Sequence, residues 1–159
     1  MKKILIPTGI VLLLLMLVAS TAFAAPAAKQ LPFKGSIHAA EVYTFDFPTM
    51  YVTSNGSGNA DFLGKYELSY QITVNLLNGG GTGGSMHFVA ANGDSLYAQG
   101  TGQGGPSGTP DFNAVTENYV ITGGTGRFAD ATGSFTINRL VSTVTGISSG
   151  TFDGTIVLP

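Results

Sequence analysis

The sequence contains no cysteine, and few of its residues carry a charge. The absence of cysteine excludes disulfides, thiolate zinc sites, cysteine nucleophiles and a lipid-modified N-terminal cysteine. Charged residues make up 10% of the chain, with seven Lys and Arg against nine Asp and Glu. No basic cluster is present to follow a phosphate backbone or an anionic lipid surface. We therefore expect no nucleic-acid partner and no electrostatic attachment to a membrane.

A long apolar run occurs once, at the N-terminus. Lys2 and Lys3 precede an apolar stretch over residues 4–18, and Ala22-Phe23-Ala24 follows with the spacing of a signal-peptidase site. A permanent anchor is the alternative, but the run of about 15 residues is shorter than the roughly 20 that a membrane-spanning helix needs. We predict a signal peptide over 1–24, a short linker over 25–32 and a single β-barrel domain over 33–159. The protein is then secreted or periplasmic, with no membrane partner after cleavage.

Alternation of apolar and polar residues dominates the rest of the chain. It is clearest over 65–77, where one face carries Tyr66, Leu68, Tyr70, Ile72, Val74 and Leu76. The intervening side chains are polar, which is typical of an antiparallel strand with one buried face. No window has a helical period with caps, so we expect little or no helix.

Turn signals divide this region into eight strands. The predicted strands cover 33–47, 50–62, 66–77, 85–91, 95–102, 112–122, 132–144 and 150–158, with a bend or bulge at 55–58 and loops at 78–84 and 104–110. Eight strands joined in sequence indicate an all-β protein, either an eight-stranded antiparallel β-barrel or a two-sheet sandwich. The barrel is favoured because closure removes exposed strand edges. Its interior has room for packed side chains or one small ligand.

The segment over 117–133, ENYVITGGTGRFADATG, contains a recognisable motif. It resembles the dirigent and allene oxide cyclase barrel superfamily, whose hallmark is a strand followed by G-G-T-G-[KR]-[FY]-x-x-A-x-G. The matching turn residues include Gly123, Gly124, Gly126, Phe128 and Gly133. The three turn glycines are expected to allow positive φ, Phe128 to tuck under the barrel, and Gly133 to permit close approach of the returning strand. The whole region is similar to small secreted bacterial members of unknown function.

The resemblance implies an eight-stranded barrel with a central cavity. Plant dirigent proteins steer the coupling of phenoxy radicals, and the cyclases close an epoxide to a ring, both by holding a hydrophobic substrate in the cavity. The acidic and arginine residues that serve those activities lie outside the matched motif. The resemblance therefore assigns no catalytic residue here.

Glu41, Glu117 and Arg139 are the strongest candidates for a binding site, because each falls within a predicted strand. Arg139 shares the apolar face of its strand, and Glu117 alternates with Tyr119 on the apolar face of another. A buried charge must be paired or line a polar cavity. If both side chains point inward, they form an ion pair that either binds a polar ligand group or stabilises the interior; a bulge of one residue would reverse the facing of Arg139.

Tyr43 belongs to an aromatic stripe with Phe45 and Phe47 on the first strand. Core packing is the favoured interpretation, and stacking on a flat ligand is the alternative. Our candidate ligand-binding residues are Glu41, Tyr43, Glu117, Tyr119 and Arg139.

Other chemistry is not indicated by the sequence. His38 and His87 are the only histidines and show no metal-ligand spacing, so we expect local hydrogen bonds from them and no metal site. The glycines of the motif precede a strand, so they are assigned to a turn and not to a phosphate loop. No nucleophile motif is present, and no cofactor is expected.

Three functions fit these observations. The favoured one is a non-catalytic secreted barrel that binds a small hydrophobic molecule or acts as an extracellular interaction module. A dirigent- or cyclase-like enzyme that steers a hydrophobic substrate by confinement is the second. An envelope or matrix structural protein is the third, and a homo-oligomer is compatible with all of them.

Overall fold

Eight antiparallel strands follow one another around a closed barrel in the computed structural model, which describes residues 29–159. The strands are β1 Leu31–Asp46, β2 Thr49–Ala60, β3 Gly64–Asn75, β4 Gly80–Ala90, β5 Ser95–Pro106, β6 Phe112–Gly124, β7 Thr132–Ser142 and β8 Ile147–Val157. Each strand pairs with its sequence neighbour, and β1 also pairs with β8. The predicted fold class is confirmed. The predicted signal peptide and the first part of the linker lie outside the described residues, and β1 begins two residues before the expected domain boundary.

The two-residue alternation decides which side chains face inward. In β3 the side chains of Tyr66, Leu68, Tyr70 and Ile72 are buried, whereas the residues between them are exposed. Val74 is half-buried and Leu76 is exposed, because β3 reaches one rim of the barrel there. Among residues 29–159, no helix is long and apolar enough to span a membrane; the one helical element is a 3-10 turn, Gly126–Phe128.

Two stretches predicted as loops pair as strands. β4 starts at Gly80, inside the predicted loop over 78–84, and its register to β5 shifts between Gly81 and Gly84. β5 continues to Pro106, into the predicted loop over 104–110. Glycine-rich stretches give a loop signal in the sequence because they lack side chains to pack. Pairing uses only backbone N–H and C=O groups, so such stretches can still join a sheet.

The predicted bend or bulge at 55–58 is wrong. β1 and β2 pair without a register shift through this segment, from Asp46 opposite Thr49 to Gly35 opposite Ala60. The glycines serve close approach instead: a Cβ on Gly56 would lie 2.4 Å from the backbone oxygen of His38. Glycine in a strand can mark a bulge or a close approach of a neighbouring backbone, and the sequence alone does not distinguish the two.

The barrel has two different ends. The closed end carries the connections β2–β3, β4–β5 and β6–β7, and the open end carries β1–β2, β3–β4, β5–β6 and β7–β8. Leu63 and Phe128 from two closed-end connections are fully buried. Above them lies an aromatic core of packed rings, Phe33, Tyr66, Phe88, Tyr119, Phe135 and Phe152. One half of the interior is therefore filled, which leaves the other half for a cavity.

The glycine motif forms the β6–β7 connection at the closed end. Gly123 and Gly126 have φ angles of 119° and 54°, and Phe128 is buried beneath the barrel, as predicted. Gly124 does not have positive φ, which corrects the expectation; a Cβ there would lie 2.0 Å from the backbone oxygen of Ser95. The motif therefore forms a turn that closes this end of the barrel, and it does not form a ligand site.

A matched pair of glycine substitutions tests this packing. Gly133 has a φ of 142°, and a Cβ on it would lie 2.2 Å from the backbone oxygen of Thr155, so Gly133→Ala should lower the free energy of unfolding by at least about 2 kcal/mol. Gly105 has open space around its missing Cβ, so Gly105→Ala should change stability by less than about 1 kcal/mol. Urea unfolding of both variants is the measurement; equal losses would contradict the close approach.

Candidate ligand-binding site

A cavity of about 580 Å³ occupies the open half of the barrel. Its walls are mostly apolar and come from strands β1 to β7, with Val52, Ile72, Val74, Val115 and Val141 among the lining residues. Its floor is polar, because Glu41, Glu117 and Arg139 also line it. An apolar chamber with a few converging polar groups is the usual form of a small-molecule site in proteins.

The three charged residues form one ion cluster. The Nε of Arg139 donates to Glu117 Oε2 at 2.9 Å and its Nη2 donates to Glu117 Oε1 at 3.2 Å, a bidentate pair. Its Nη1 donates to Glu41 Oε1. The side chains of Glu41, Glu117 and Arg139 are 4%, 1% and 3% exposed. Glu117 and Arg139 lie on the paired strands β6 and β7, and Glu41 lies on β1, which is separated from β7 by β8.

Two tyrosines complete the cluster at Glu41. The hydroxyl of Tyr43 donates to Glu41 Oε2 at 2.9 Å, and the hydroxyl of Tyr70 donates to Glu41 Oε1. The guanidinium of Arg139 also lies over the ring of Tyr70, 5.2 Å from its centroid. These contacts replace the water that the buried charges lose, which is the condition for keeping charges inside a protein.

The cluster carries more negative than positive charge. Two carboxylates and one guanidinium leave a formal charge of −1. Burial by itself lowers the pKa of Arg139, but the charge of Glu117 and its hydrogen bond outweigh burial and hold that pKa above its ordinary value. Arg139 therefore stays protonated, and its donors to the carboxylates remain in place at all ordinary pH values.

Three tyrosine hydroxyls inside the barrel resist ionisation. Burial raises the pKa of Tyr66, Tyr70 and Tyr119 well above the ordinary tyrosine value. Glu41 and Glu117 add to this effect at Tyr70, whereas Arg139 opposes it. The phenolate form is disfavoured because it would lose its water and face carboxylates.

Because these tyrosine pKa values are raised, the stability of the barrel should depend on pH in the alkaline range. Unfolded tyrosine ionises near pH 10, so above about pH 10 the unfolded chain releases protons that the folded barrel keeps. The free energy of unfolding should then fall as pH rises, by about 1.4 kcal/mol per pH unit for each of the three groups. The pKa of half-buried Tyr43 is also raised by burial, so Tyr43 adds a smaller contribution to the same fall. Urea unfolding at pH 9 and pH 11, with tyrosinate absorbance near 295 nm, measures this. Ionisation of all six tyrosines near pH 10 in a folded protein would contradict it.

The sequence-predicted residues are placed as follows. Glu41, Tyr43, Glu117 and Arg139 come together at the cavity floor; Arg139 and Glu117 both face inward, the arrangement for which the sequence predicts an ion pair. Tyr119 lies deeper: its ring stacks on Phe135 with a centroid distance of 5.5 Å, and it is not a lining residue. Its hydroxyl is buried and finds no hydrogen-bond partner among residues 29–159.

The aromatic stripe of β1 is only partly in the core. Tyr43 is half-buried, but Phe45 and Phe47 are 65% and 75% exposed, so the core-packing expectation is wrong for both. They fall where β1 runs past the packed half of the barrel to the open end. Phe45 lines the cavity mouth and packs 6.3 Å from the ring of Tyr43.

Sequence reasoning missed Tyr70 as a member of the site. It stood out as an inward residue of β3, but its hydrogen bond to Glu41 joins positions 29 residues apart. No local signal reports such a contact. The mouth residues Met50, Leu76 and Leu77 were missed for a similar reason, since only barrel closure places them on one opening.

The two histidines make the local hydrogen bonds that were expected. Nδ1 of His38 and the Oγ of Ser149 are 2.8 Å apart, and Nε2 of His87 and the Oγ of Ser95 are 2.9 Å apart. The described part of the chain holds no group of three or more His, Cys, Asp or Glu side chains that could bind a metal ion.

A solved structure with this architecture is that of the pterocarpan synthase dirigent protein GePTS1. The two chains superpose with a TM-score of 0.58 and 14% sequence identity, over 83% of this chain and 86% of that chain. The barrel is dirigent-like. At 14% sequence identity, the similarity to GePTS1 shows a shared fold and nothing about a shared function. No family model matches the sequence, and no curated protein matches it either.

Proposed function

We propose that this dirigent-like barrel is a non-catalytic binding protein for a small apolar molecule that carries one hydrogen-bond-donating group. The observation that carries the proposal is the combination of an open apolar chamber with a buried ion cluster at its floor. Export is part of the proposal, and it is supported by the signal-peptide pattern over residues 1–24.

The shape of the cavity sets the size of the ligand. A chamber of about 580 Å³ lies inside the range of drug-sized ligand sites. The aromatic core blocks passage to the closed end, so a ligand enters and leaves by the open mouth. The walls favour an apolar body because its burial is driven by the hydrophobic effect.

The charge of the floor sets the chemistry of the polar group. The cluster carries a formal charge of −1, and its carboxylate oxygens are acceptors. A neutral hydroxyl or amine can donate to them, and a cation would be attracted. A carboxylate, sulfonate or phosphate would be repelled in a site with little water to screen the charge.

A matched pair of fluorescent probes tests this specificity. N-phenyl-1-naphthylamine is apolar with one N–H donor, and 8-anilinonaphthalene-1-sulfonate has the same frame with an added anionic group. We expect the neutral probe to bind with enhanced fluorescence and the sulfonate to bind at least about tenfold more weakly, which corresponds to about 1.4 kcal/mol. Stronger binding of the sulfonate would overturn the assigned ligand chemistry.

Two substitutions on β6 locate the probe. Val115 lines the cavity, whereas Val120 is exposed on the outer wall of the same strand. Val115→Trp should abolish binding of the neutral probe because the indole fills the chamber, and Val120→Trp should leave it unchanged. If both variants bind as well as the parent protein, the cavity is not the binding site.

Substrate steering is a second candidate, favoured by the architecture shared with a dirigent protein. In that case the barrel would orient two phenoxy radicals generated by a separate one-electron oxidant, and their coupling would form the new bond. The test supplies a phenol and an external oxidant and measures the enantiomeric excess of the coupled product. Racemic product with intact probe binding supports the non-catalytic function.

A further inference from the structure

The exposed apolar side chains of this barrel are concentrated at the open end. Four of them are Phe47 in the β1–β2 connection, Leu77 in the β3–β4 connection, Phe112 at the first position of β6 and Val144 in the β7–β8 connection. We call these four residues the apolar rim. Phe47, Leu77 and Val144 are 75%, 70% and 73% exposed, and Leu77 also lines the mouth of the cavity.

Basic residues are concentrated toward the closed end of the barrel, away from the apolar rim. Of the basic residues over 29–159, Lys34, Lys65 and Arg127 lie in the closed half, and Lys29 lies two residues before the closed-end start of β1. The one exception, Arg139, is buried in the ion cluster. Among residues 29–159, the open end carries two charged groups on its outside, the carboxylates of Asp46 and Asp111.

We infer that the apolar rim docks the open end of the barrel onto the surface of an uncharged lipid bilayer. Exposed apolar groups that are gathered at one end of a charged protein mark a surface for a membrane or a partner. Here the groups are four separate tips around an opening. Fluid acyl chains can accommodate such tips, whereas a protein partner needs one continuous complementary surface.

A second copy of this chain fits the rim less well. Mouth-to-mouth contact would bring Asp46 and Asp111 of both copies together, and the described part of the chain has no exposed basic residue at that end to pair with them. It would also seal the cavity. Docking on a bilayer instead connects the acyl region to the cavity through the apolar mouth residues Phe45, Leu76 and Leu77.

This inference goes beyond the proposed function, since docking does not require a bound ligand. It also departs from the expectation that the processed chain has no membrane partner. That expectation rested on the lack of a basic cluster, which concerns electrostatic attachment alone. Docking through the rim should not require anionic lipid and should not be weakened by salt, because the open end, among residues 29–159, offers no exposed cation to bind lipid headgroups.

The chain contains no tryptophan, so one introduced indole reports its own surroundings. In the full chain with phosphatidylcholine vesicles, Phe47→Trp fluorescence should shift to shorter wavelength and be quenched by brominated acyl chains. Val120→Trp on the outer wall should show neither change. A contact made only through residues 1–28, which join the barrel beside its closed end, would leave Phe47→Trp unquenched and would overturn the inference.

A second variant measures how much the rim contributes. Combined replacement of Phe47, Leu77 and Val144 by serine in the Phe112→Trp background should lower the vesicle partition coefficient roughly a hundredfold, from the apolar area lost. Equal quenching of Phe47→Trp and Val120→Trp would overturn the inference, and so would an unchanged partition coefficient of the serine variant. A third contradicting result would be a blue shift of Phe47→Trp fluorescence in the absence of vesicles, if the shift increases with protein concentration and the molecular mass doubles. The last of these would indicate the mouth-to-mouth dimer.

Discussion

Replacing Arg139 with alanine is expected to lower the free energy of unfolding by about 3–5 kcal/mol, one of the two largest effects of any single substitution proposed for this barrel. The variant leaves the carboxylates of Glu41 and Glu117 buried without a counterion. A loss of this size should lower Tm by more than about 10 °C in a domain of this length. Urea and thermal unfolding of the variant and the parent protein are the measurements.

Two controls separate the buried charge from charge in general. Lys34 and Asp153 form an exposed salt bridge of 2.7 Å, so Lys34→Ala should cost less than about 1 kcal/mol. Removing the whole cluster with Arg139→Met, Glu41→Gln and Glu117→Gln should restore most of the stability, because no uncompensated charge remains. An Arg139→Ala variant as stable as Lys34→Ala would show that Arg139 faces solvent.

Replacing Phe135 with alanine is expected to cost about 3–5 kcal/mol, because it empties the centre of the aromatic core. Its ring lies 5.5 Å from the ring of Phe33, 5.3 Å from that of Phe152 and 5.9 Å from that of Phe88. The site is enclosed on all sides by packed side chains, so the barrel cannot collapse to fill the space. Urea unfolding of the purified variant is the measurement.

The same chemical change at the open end provides the control. Phe47→Ala removes an identical ring from a position that is 75% exposed, and it should change stability by less than about 0.5 kcal/mol. Equal losses at the two positions would mean that the rim packs as tightly as the closed half. That result would contradict the difference between a packed closed half and an open half that contains the cavity.

The facing of the site residues could be predicted because it follows from local alternation. Arg139 lies two residues from Ile137, and Glu117 lies two residues from Tyr119, so each charge shares a buried face with its apolar neighbours. The eight strands and the closed end also followed from local signals, namely turn glycines and the motif around Phe128.

The rest depends on contacts between distant positions. Glu41 meets Arg139 across 98 residues, and Tyr70 meets Glu41 across 29, so only closure of the barrel brings them together. Glycine caused the main errors, since Gly56 and Gly81 gave turn or loop signals although both lie in paired strands. The core-packing prediction fails for Phe45 and Phe47, because alternation indicates the face of a strand and not the depth of a residue along the barrel.

A crystal structure of the protein with N-phenyl-1-naphthylamine tests the central claim most directly. We predict electron density for the probe in the open half, with its nitrogen within hydrogen-bonding distance of Glu41 or Glu117 and its rings against Val52, Ile72 and Val115. Density confined to the outer wall, or a barrel whose open half is filled by its own side chains with Arg139 turned to solvent, would contradict the account.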